Sequence, residues 1–436
     1  MTDEITVIAA EAGRKLALAD PASTGTVLAE IRRQKDMARD FIVPADQLRL
    51  SHRYSQDSDG DNLPPETQLT FPLPEAQRYP RAAYDMSRIA HEQLAERTTG
   101  AYYYRKLRSA HKHADHFERD INYWLRELDG QKLLVRTLDD KVRAILSNRF
   151  FILDNYDTMI HAAMVIRDNP SSVIQRIDVT DERFFLRVLH VEHALRLDKQ
   201  AGEVQRLSTG FAFGEIGDSQ GHVAHSPEEA AIVQYDQTRN PASVSKAGQM
   251  FQEIALHPDW IVPGVIVKNS EVGRGGLSIE PFMYQTYCTN TAIFGKAFGR
   301  IHRSGELDDM LTDDTRRKQR DAIFGEIRDV INATFDPVQF RAHVDKFLGL
   351  QERELEHPAD AVQQLKKVDP SFTEAEQQAI LNAMMTQGLG TTAYALVNAV
   401  TLYAHQQPDA DRRAELEGIG GKMVEHWPRE LVLVRK

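Results

Sequence analysis

The chain has 436 residues, a formal net charge of −11 at pH 7, 42% hydrophobic residues and 27% charged residues. This length is enough to bury one large core or two to three smaller ones, and the composition is that of a globular protein. Because no 18-residue stretch is continuously apolar, the sequence predicts no transmembrane helix and no membrane partner. The acidic balance excludes a protein whose whole surface attracts polyanions.

The cysteine content and the N-terminus indicate the compartment. Cys288 is the only cysteine, so the chain forms no internal disulfide and suits a reducing environment. The first ten residues lack the basic and apolar segments of a secretory signal. We therefore expect a cytoplasmic protein.

The first 80 residues are interpreted as an N-terminal segment with a flexible linker. A helix is expected near Gly25–Asp40, followed by a polar, proline-containing linker around residues 55–65. Apolar residues at helical spacing then predict helices over Arg81–Thr98 and Ala114–Leu128. Asp154 or Asn155 is a candidate cap for a further helix.

Alternating apolar residues predict the strands. Lys132–Leu138 and Lys141–Leu146 are separated only by Asp139 and Asp140, a pattern typical of a hairpin. Four more strands are expected: Ser172–Asp178, Arg183–His190, Trp260–Lys268 and Leu277–Tyr287. Helical spacing dominates after about residue 292, and Thr373 to Glu376 form a candidate capping box. The predicted class is α+β, a mixed or antiparallel sheet with packed helices (81–305) followed by an all-helical C-terminal region (306–436).

The hairpin contains the first candidate binding residues. A two-residue turn would place Arg136 directly opposite Arg143, and two like charges repel unless an anion or a nearby acid compensates them. A phosphate suits the arginine geometry. Internal pairing with nearby acids such as Asp139, Glu127 or Asp129 is the alternative. Residues 81–176 hold 16 Lys and Arg against 13 Asp and Glu, which agrees with a mildly basic face. The candidate cationic contacts are Arg105, Lys106, Arg136, Lys141, Arg143, Arg149 and Arg274.

Tyr103 and Tyr104, in the run of three tyrosines before the basic cluster Arg105 to Arg108, are candidates for stacking on bases. A half-buried junction between a loop and a helix is the alternative explanation for this run.

The segment 269–276 is a glycine-dense loop between two predicted strands. Its glycines would let backbone N–H groups approach a ligand, and Arg274 is placed to bind a phosphate beside them. The segment matches neither of the common phosphate-loop patterns. A β-hairpin turn that needs glycine at positive φ is the competing interpretation.

No metal, cofactor or catalytic residue is predicted. His190 and His193, and likewise His222 and His225, are three residues apart, but zinc sites usually need four ligands. Cys288 has no identifiable base beside it. The histidines are interpreted as ordinary surface or core residues.

Several segments resemble the phage/plasmid-like family (domain of unknown function 932). The similar segments include Val142 to Phe150, the loop Asn269 to Gly273, and Cys288-Thr289-Asn290, where Thr291 departs from the frequent glycine. The resemblance covers roughly residues 85–425. The residues that match the family pattern are Asp154, Asn155, Asn269, Ser270, Glu271, Gly273, Cys288 and Asn290.

The resemblance implies a phage or plasmid context, and with it the cytoplasm of a bacterial host cell, but no particular reaction. We expect a DNA-binding protein that binds single-stranded DNA, forms a homo-oligomer and anneals strands in recombination, rather than an enzyme. One alternative is an enzyme or binding protein for a nucleotide or a small phosphorylated ligand. Another is a host-interaction or anti-defence protein that uses its acidic helical tail.

Overall fold

The computed structural model describes residues 21–55, 65–73, 81–110, 114–169, 171–197, 204–206, 246–255, 260–286, 290–294, 298–301, 313–386 and 390–431. Within these ranges, no helix is both long and apolar enough to cross a membrane.

The first sheet has six strands: β1 Arg39–Pro44, β2 Arg49–Arg53, β3 Glu66–Pro72, β4 Arg81–Met86, β5 Lys132–Leu138 and β6 Lys141–Ser147. They lie in the order β1-β5-β6-β4-β3-β2. Neighbouring strands are antiparallel except for β4 and β6, which are parallel. The helices of this part are α1 Pro21–Met37, α2 Arg88–Arg97, α3 Ala101–Ser109 and α4 Ala114–Glu127. Leu69, Phe71, Leu94, Phe117 and Ile121 lie in the core between sheet and helices.

This sheet crosses the boundary expected at residue 80, because β3 pairs with β4. The helix predicted over Arg81–Thr98 is wrong in its first third, since Arg81–Met86 is a strand. Pairing with β3 supplies backbone hydrogen bonds there and overrides the helical spacing. The helix begins after Ser87, whose side chain accepts a hydrogen bond from the backbone N–H of Ala90.

The hairpin of β5 and β6 is confirmed, with Asp139 and Asp140 at φ 48° and 59°, the backbone of a tight two-residue turn. The predicted register is wrong beyond the turn, because a bulge places Arg136 opposite Ala144 and Thr137 opposite Val142. The extra residue at the bulge is Arg143, so the two arginines are not directly opposite each other.

The strands of the second sheet are β7 Ser172–Val179, β8 Phe184–His190, β9 Leu195–Leu197, β10 Val204–Arg206, β11 Trp260–Asn269, β12 Leu277–Gln285, β13 Asn290–Ile293 and β14 Phe298–Ile301. Strand β11 is central and pairs with β8, β9 and β12. Helix α5 (Asn155–Asp168) packs beside this sheet, and α6 (Lys246–Ala255) contacts β7. The four strands predicted over residues 172–287 are confirmed.

The C-terminal region is helical, as predicted. Its helices are α7 Asp313–Thr334, α8 Pro337–Gly349, α9 Pro358–Val368, α10 Glu374–Thr386, α11 Ala393–His405 and α12 Ala410–Glu425. The capping box is confirmed, because Thr373 and Glu376 exchange side-chain to backbone hydrogen bonds. A Cβ atom on Gly421 would lie 1.5 Å from the carbonyl oxygen of Ile293, so this glycine lets α12 lie directly on β13. The α+β class is therefore confirmed.

Candidate nucleic-acid interface

The glycine-dense loop between β11 and β12 lies against the first sheet. Gly273 has φ 73°, and a Cβ atom there would lie 2.5 Å from Cδ2 of Leu146 on β6. The side chain of Gln93 on α2 donates a hydrogen bond of 2.8 Å to the carbonyl of Val272. The glycine is thus required by the turn and by close packing, and the loop joins the two sheets.

Glu271 is the centre of this junction. Arg143 Nη1 donates to its Oε2 (2.7 Å), and the backbone N–H of Asn155 donates to its Oε1 (2.6 Å). Arg136 Nη1 donates to the carbonyl oxygen of Glu271 (2.8 Å). A carboxylate is favourable at a helix N-terminus, so Glu271 caps α5 from the second sheet, whereas the side chain of Asp154 makes no capping hydrogen bond.

Arg136 is buried, with a relative exposure of 1%. Its Nε donates to Asp40 Oδ1 (2.7 Å) and its Nη2 to Asp154 Oδ1 (3.3 Å). Burial opposes its charge, but Asp40, and then Glu271 and Asp154, outweigh that effect and raise its pKa. Burial, followed by Glu271, raises the pKa of Asp154. Both hairpin arginines are therefore paired internally, as the alternative held. Their partners are Asp40, Asp154 and Glu271 and not the nearby acids named from the sequence.

The other residues of the family pattern surround the same junction. Asn269 Nδ2 donates to the carbonyl of Leu153 and to Asn155 Oδ1, at 2.9 and 2.8 Å. Ser270 Oγ donates to the carbonyl of Glu182 (2.6 Å), and Arg274 pairs with Glu92 on α2. Cys288 and the side chain of Asn290 lie outside the described residues. Within the described part, this pattern holds the two sheets together.

Arg136, Arg143, Arg149 and Arg274 were predicted as cationic contacts, and the structure gives them different surroundings. Arg136 and Arg143 point at Glu271, while Arg274 pairs with Glu92. Arg149 is exposed and lines a cavity of about 570 Å³ on one side of the glycine loop.

A second cleft beside the loop, of about 980 Å³, is lined by five basic residues and several acids. Its basic residues are all engaged by carboxylates: Arg88 by Glu182, Arg183 by Asp411, Lys268 by Glu280, Arg274 by Glu92 and Arg412 by Glu376. An anionic ligand there would have to displace these pairs.

Helices α3 and α4 form a different surface. Phe117, Ile121 and Leu125 recur along one stripe of α4 and are buried, as the 3.6-residue period requires. The side-chain amide of Asn122 exchanges two hydrogen bonds with the backbone of Leu50 on β2, at 2.7 and 2.8 Å. These contacts fix the orientation of α4, so the opposite side of the helix is presented to solvent.

Two aromatic side chains of α4 and two of α3 are exposed. The relative exposures are 74% for Tyr102, 45% for Tyr103, 50% for Tyr123 and 45% for Trp124. The rings of Tyr123 and Trp124 meet edge to face, with centroids 5.7 Å apart. The hydroxyl of Tyr103 on α3 donates to Asp120 on α4 (3.2 Å), which links the two helices. We call Tyr102, Tyr103, Arg105, Lys106, Tyr123 and Trp124 the helical face.

The basic residues of this face differ from those of the junction. Helix α3 contains three basic residues, Arg105, Lys106 and Arg108, and no acidic ones. All three are exposed, and no carboxylate of the described chain lies within ion-pair distance of any of them. The Nε of Arg105 donates to the carbonyl of Ala101 (3.2 Å) in its own helix. Their charges remain available to an external anion.

Tyr104 is the exception among the predicted stacking residues, since it is buried with a relative exposure of 1%. Its hydroxyl lies 2.8 Å from Nδ1 of His91, and burial raises the pKa of Tyr104.

Tyr123 and Trp124 were not among the predicted stacking residues. Both lie off the apolar stripe of a correctly predicted helix, and two adjacent large aromatics on the polar side of a helix are the signal that indicates them.

Two pairs of histidines were considered as metal ligands from their spacing in the sequence. The rings of His190 and His193 lie 4.1 Å apart between centroids, and burial lowers the pKa of His190 to about 4. No group of three candidate metal ligands occurs among the residues that the structure describes. His222 and His225 lie outside those residues.

Comparison with known proteins finds no family model, no curated protein and no solved structure that matches this chain. The resemblance to the phage/plasmid-like family stays a prediction.

Proposed function

We propose that this protein binds single-stranded DNA through the helical face. The observation that carries the proposal is the coincidence of four exposed aromatic rings with basic side chains that lack a carboxylate partner in the described chain. Single-strand binding proteins combine these two features, because aromatic rings stack on unpaired bases and cations attract the backbone.

The charge distribution favours this location over the rest of the surface. The chain carries a net charge of −11, so most of its surface repels a polyanion. Helix α3, with three basic and no acidic residues, is a local exception. Exposed rings also favour unpaired bases over a duplex, in which the base faces are already stacked. Strand annealing, a homo-oligomeric state and a location in the bacterial cytoplasm are further parts of this proposal that rest on the sequence alone.

The test is fluorescence anisotropy with a labelled oligothymidine. We expect salt-sensitive binding that is weakened by Tyr102→Ala and by Trp124→Ala, by about 1–3 kcal/mol for each stacked base, which is roughly 5- to 150-fold in Kd. Val338→Ala is the matched control, because Val338 on α8 is an exposed apolar residue (76%) far along the chain. Oligouridine and a duplex of the same length measure the preference for DNA and for single strands. Salt-insensitive binding, or equal losses in all three variants, would refute the proposal.

A further inference from the structure

A cavity of about 560 Å³ lies between the α3–α4 pair and the first sheet. Its lining residues come from β2, β3, β4, β6 and all three helices α2, α3 and α4. This volume falls within the range of about 300–1,000 Å³ that is typical of small-molecule sites. Helices α3 and α4 contribute both to this cavity and to the helical face, but none of the aromatic residues of the helical face lines the cavity.

Two cations line this cavity, Arg108 at the end of α3 and Lys141 at the start of β6. Neither has a carboxylate within ion-pair distance in the part of the chain that the structure describes. Arg108 is close enough to His91 to contribute, after burial, to the lowering of its pKa. Two cations on the wall of one cavity, each without an ion-pair partner in the described chain, favour an anionic ligand.

The carboxylates of the cavity are already engaged. Arg53 pairs with Glu66 and also lies 3.3 Å from Asp85 Oδ2. Gln68 donates to the other oxygen of Asp85 (2.9 Å). These acids therefore do not neutralise Arg108 and Lys141.

His91 supplies a buried polar group at the same place. It is 4% exposed and lines the cavity, and its Nδ1 lies 2.8 Å from the hydroxyl of Tyr104. Burial disfavours the imidazolium, so the ring is neutral. We assign the tautomer in which Nδ1 accepts from the Tyr104 hydroxyl and Nε2 carries the proton. Within the described residues Nε2 has no partner, so it is a hydrogen-bond donor for a ligand in the cavity.

We propose that this cavity binds a phosphomonoester, with Arg108 and Lys141 as its cationic contacts and the Nε2–H of His91 as a neutral donor. The phosphomonoester belongs either to a free nucleotide or to the 5′ end of a DNA strand. The second source rests on the proposed function, because Arg108 lies on the same helix as Arg105 and Lys106. The first source does not depend on it.

Calorimetric titration of the full chain with deoxyadenosine 5′-monophosphate and with deoxyadenosine tests the site itself. Charge-assisted hydrogen bonds contribute about 1.5–3 kcal/mol, so we expect the monophosphate to bind at least about tenfold tighter than the nucleoside. Arg108→Gln and Lys141→Gln should each remove most of that difference. Lys366→Gln, at an exposed lysine of α9, is the charge-matched control and should retain it. Equal affinity for the two compounds, absence of binding, or an equal loss in the control would overturn the proposal.

Two oligonucleotides that differ only in a 5′-phosphate or a 5′-hydroxyl distinguish the sources. If the strand end is the ligand, the phosphorylated oligonucleotide binds about tenfold tighter, and Arg108→Gln abolishes the advantage. If the free nucleotide is the ligand, only the monophosphate titration responds. Failure of the 5′-hydroxyl strand to bind contradicts the proposed function and leaves the monophosphate result intact. Unchanged urea midpoints confirm that the exposed variants are folded.

Discussion

The arginines of the β5–β6 hairpin and the basic residues of α3 have the same chemistry but opposite environments. Arg136 and Arg143 are directed at carboxylates and at the backbone of Glu271. Arg105 and Lys106 face solvent without an acid of the described chain beside them. A basic segment therefore indicates an anion-binding surface only where the fold supplies no internal acid. Arg136 and Arg143 join the two sheets, whereas Arg105 and Lys106 are available to a ligand.

The largest expected effect comes from breaking the buried set. Glu271→Gln removes the charge that Arg143 and Arg136 share and weakens the cap on α5. Loss of one partner from a buried ion pair costs about 3–5 kcal/mol, and we expect a decrease of that size in the free energy of unfolding by urea. Glu92→Gln is the control, because the Glu92–Arg274 pair is more exposed and contributes less than about 1 kcal/mol. Similar losses in the two variants would contradict the central role of Glu271.

Buried His91 should make the stability of the protein depend on pH. Burial, and then Arg108, lowers the pKa of His91 to about 3, below the value of about 6.5 for an unfolded histidine. Between these values the unfolded chain binds a proton that the folded chain does not. Stability therefore falls as the pH falls from about 6.5 towards 3, by about 1.4 kcal/mol per pH unit from this group.

Urea unfolding of the wild type and of His91→Gln between pH 7 and pH 5 checks this dependence. Over this range the wild type should lose about 2 kcal/mol more stability than the variant, because the unfolded histidine is only partly protonated near pH 6.5. A slope that is the same in both proteins would show that His91 takes up its proton in the folded state.

The hairpin turn provides the smallest effect. Asp140 has φ 59°, a conformation in which glycine is favoured at the second turn position. Asp140→Gly should raise the free energy of unfolding by roughly 0.5–1 kcal/mol, since the strain of a side chain at positive φ is removed. DNA affinity should not change if the hairpin is structural. A loss of affinity without a gain in stability would assign the hairpin to the binding surface instead.

Local patterns predicted much of the fold. Alternation located β5, β6, β7, β8, β11 and β12, helical spacing located α4, and a candidate cap located α5. The C-terminal helices were also expected, except for α9. The internal partners of Arg136 were not predictable, because Asp40 and the carbonyl of Glu271 lie 96 and 135 residues away along the chain. Strand β4 was missed because its partner β3 follows a polar stretch that suggested a linker.

The candidate site was predicted in part. Tyr103, Arg105 and Lys106 lie on the helical face as expected of a binding surface, whereas Tyr104 faces the core because it follows the helical period of α3. Tyr123 and Trp124 could have been added by the same reasoning applied to α4. Their proximity to α3 depends on how the two helices pair, which the sequence does not reveal.

The salt dependence of DNA binding in three variants tests most directly whether the basic residues of α3 contact the DNA backbone. For single strands, log K changes with log salt by about −0.7 per neutralised phosphate. The double variant Arg105→Gln and Lys106→Gln should reduce the magnitude of the slope by about 1.4. Arg143→Gln and the remote double variant Lys366→Gln and Lys367→Gln should retain the wild-type slope. A slope that falls in Arg143→Gln and is unchanged in the α3 variant would contradict the account.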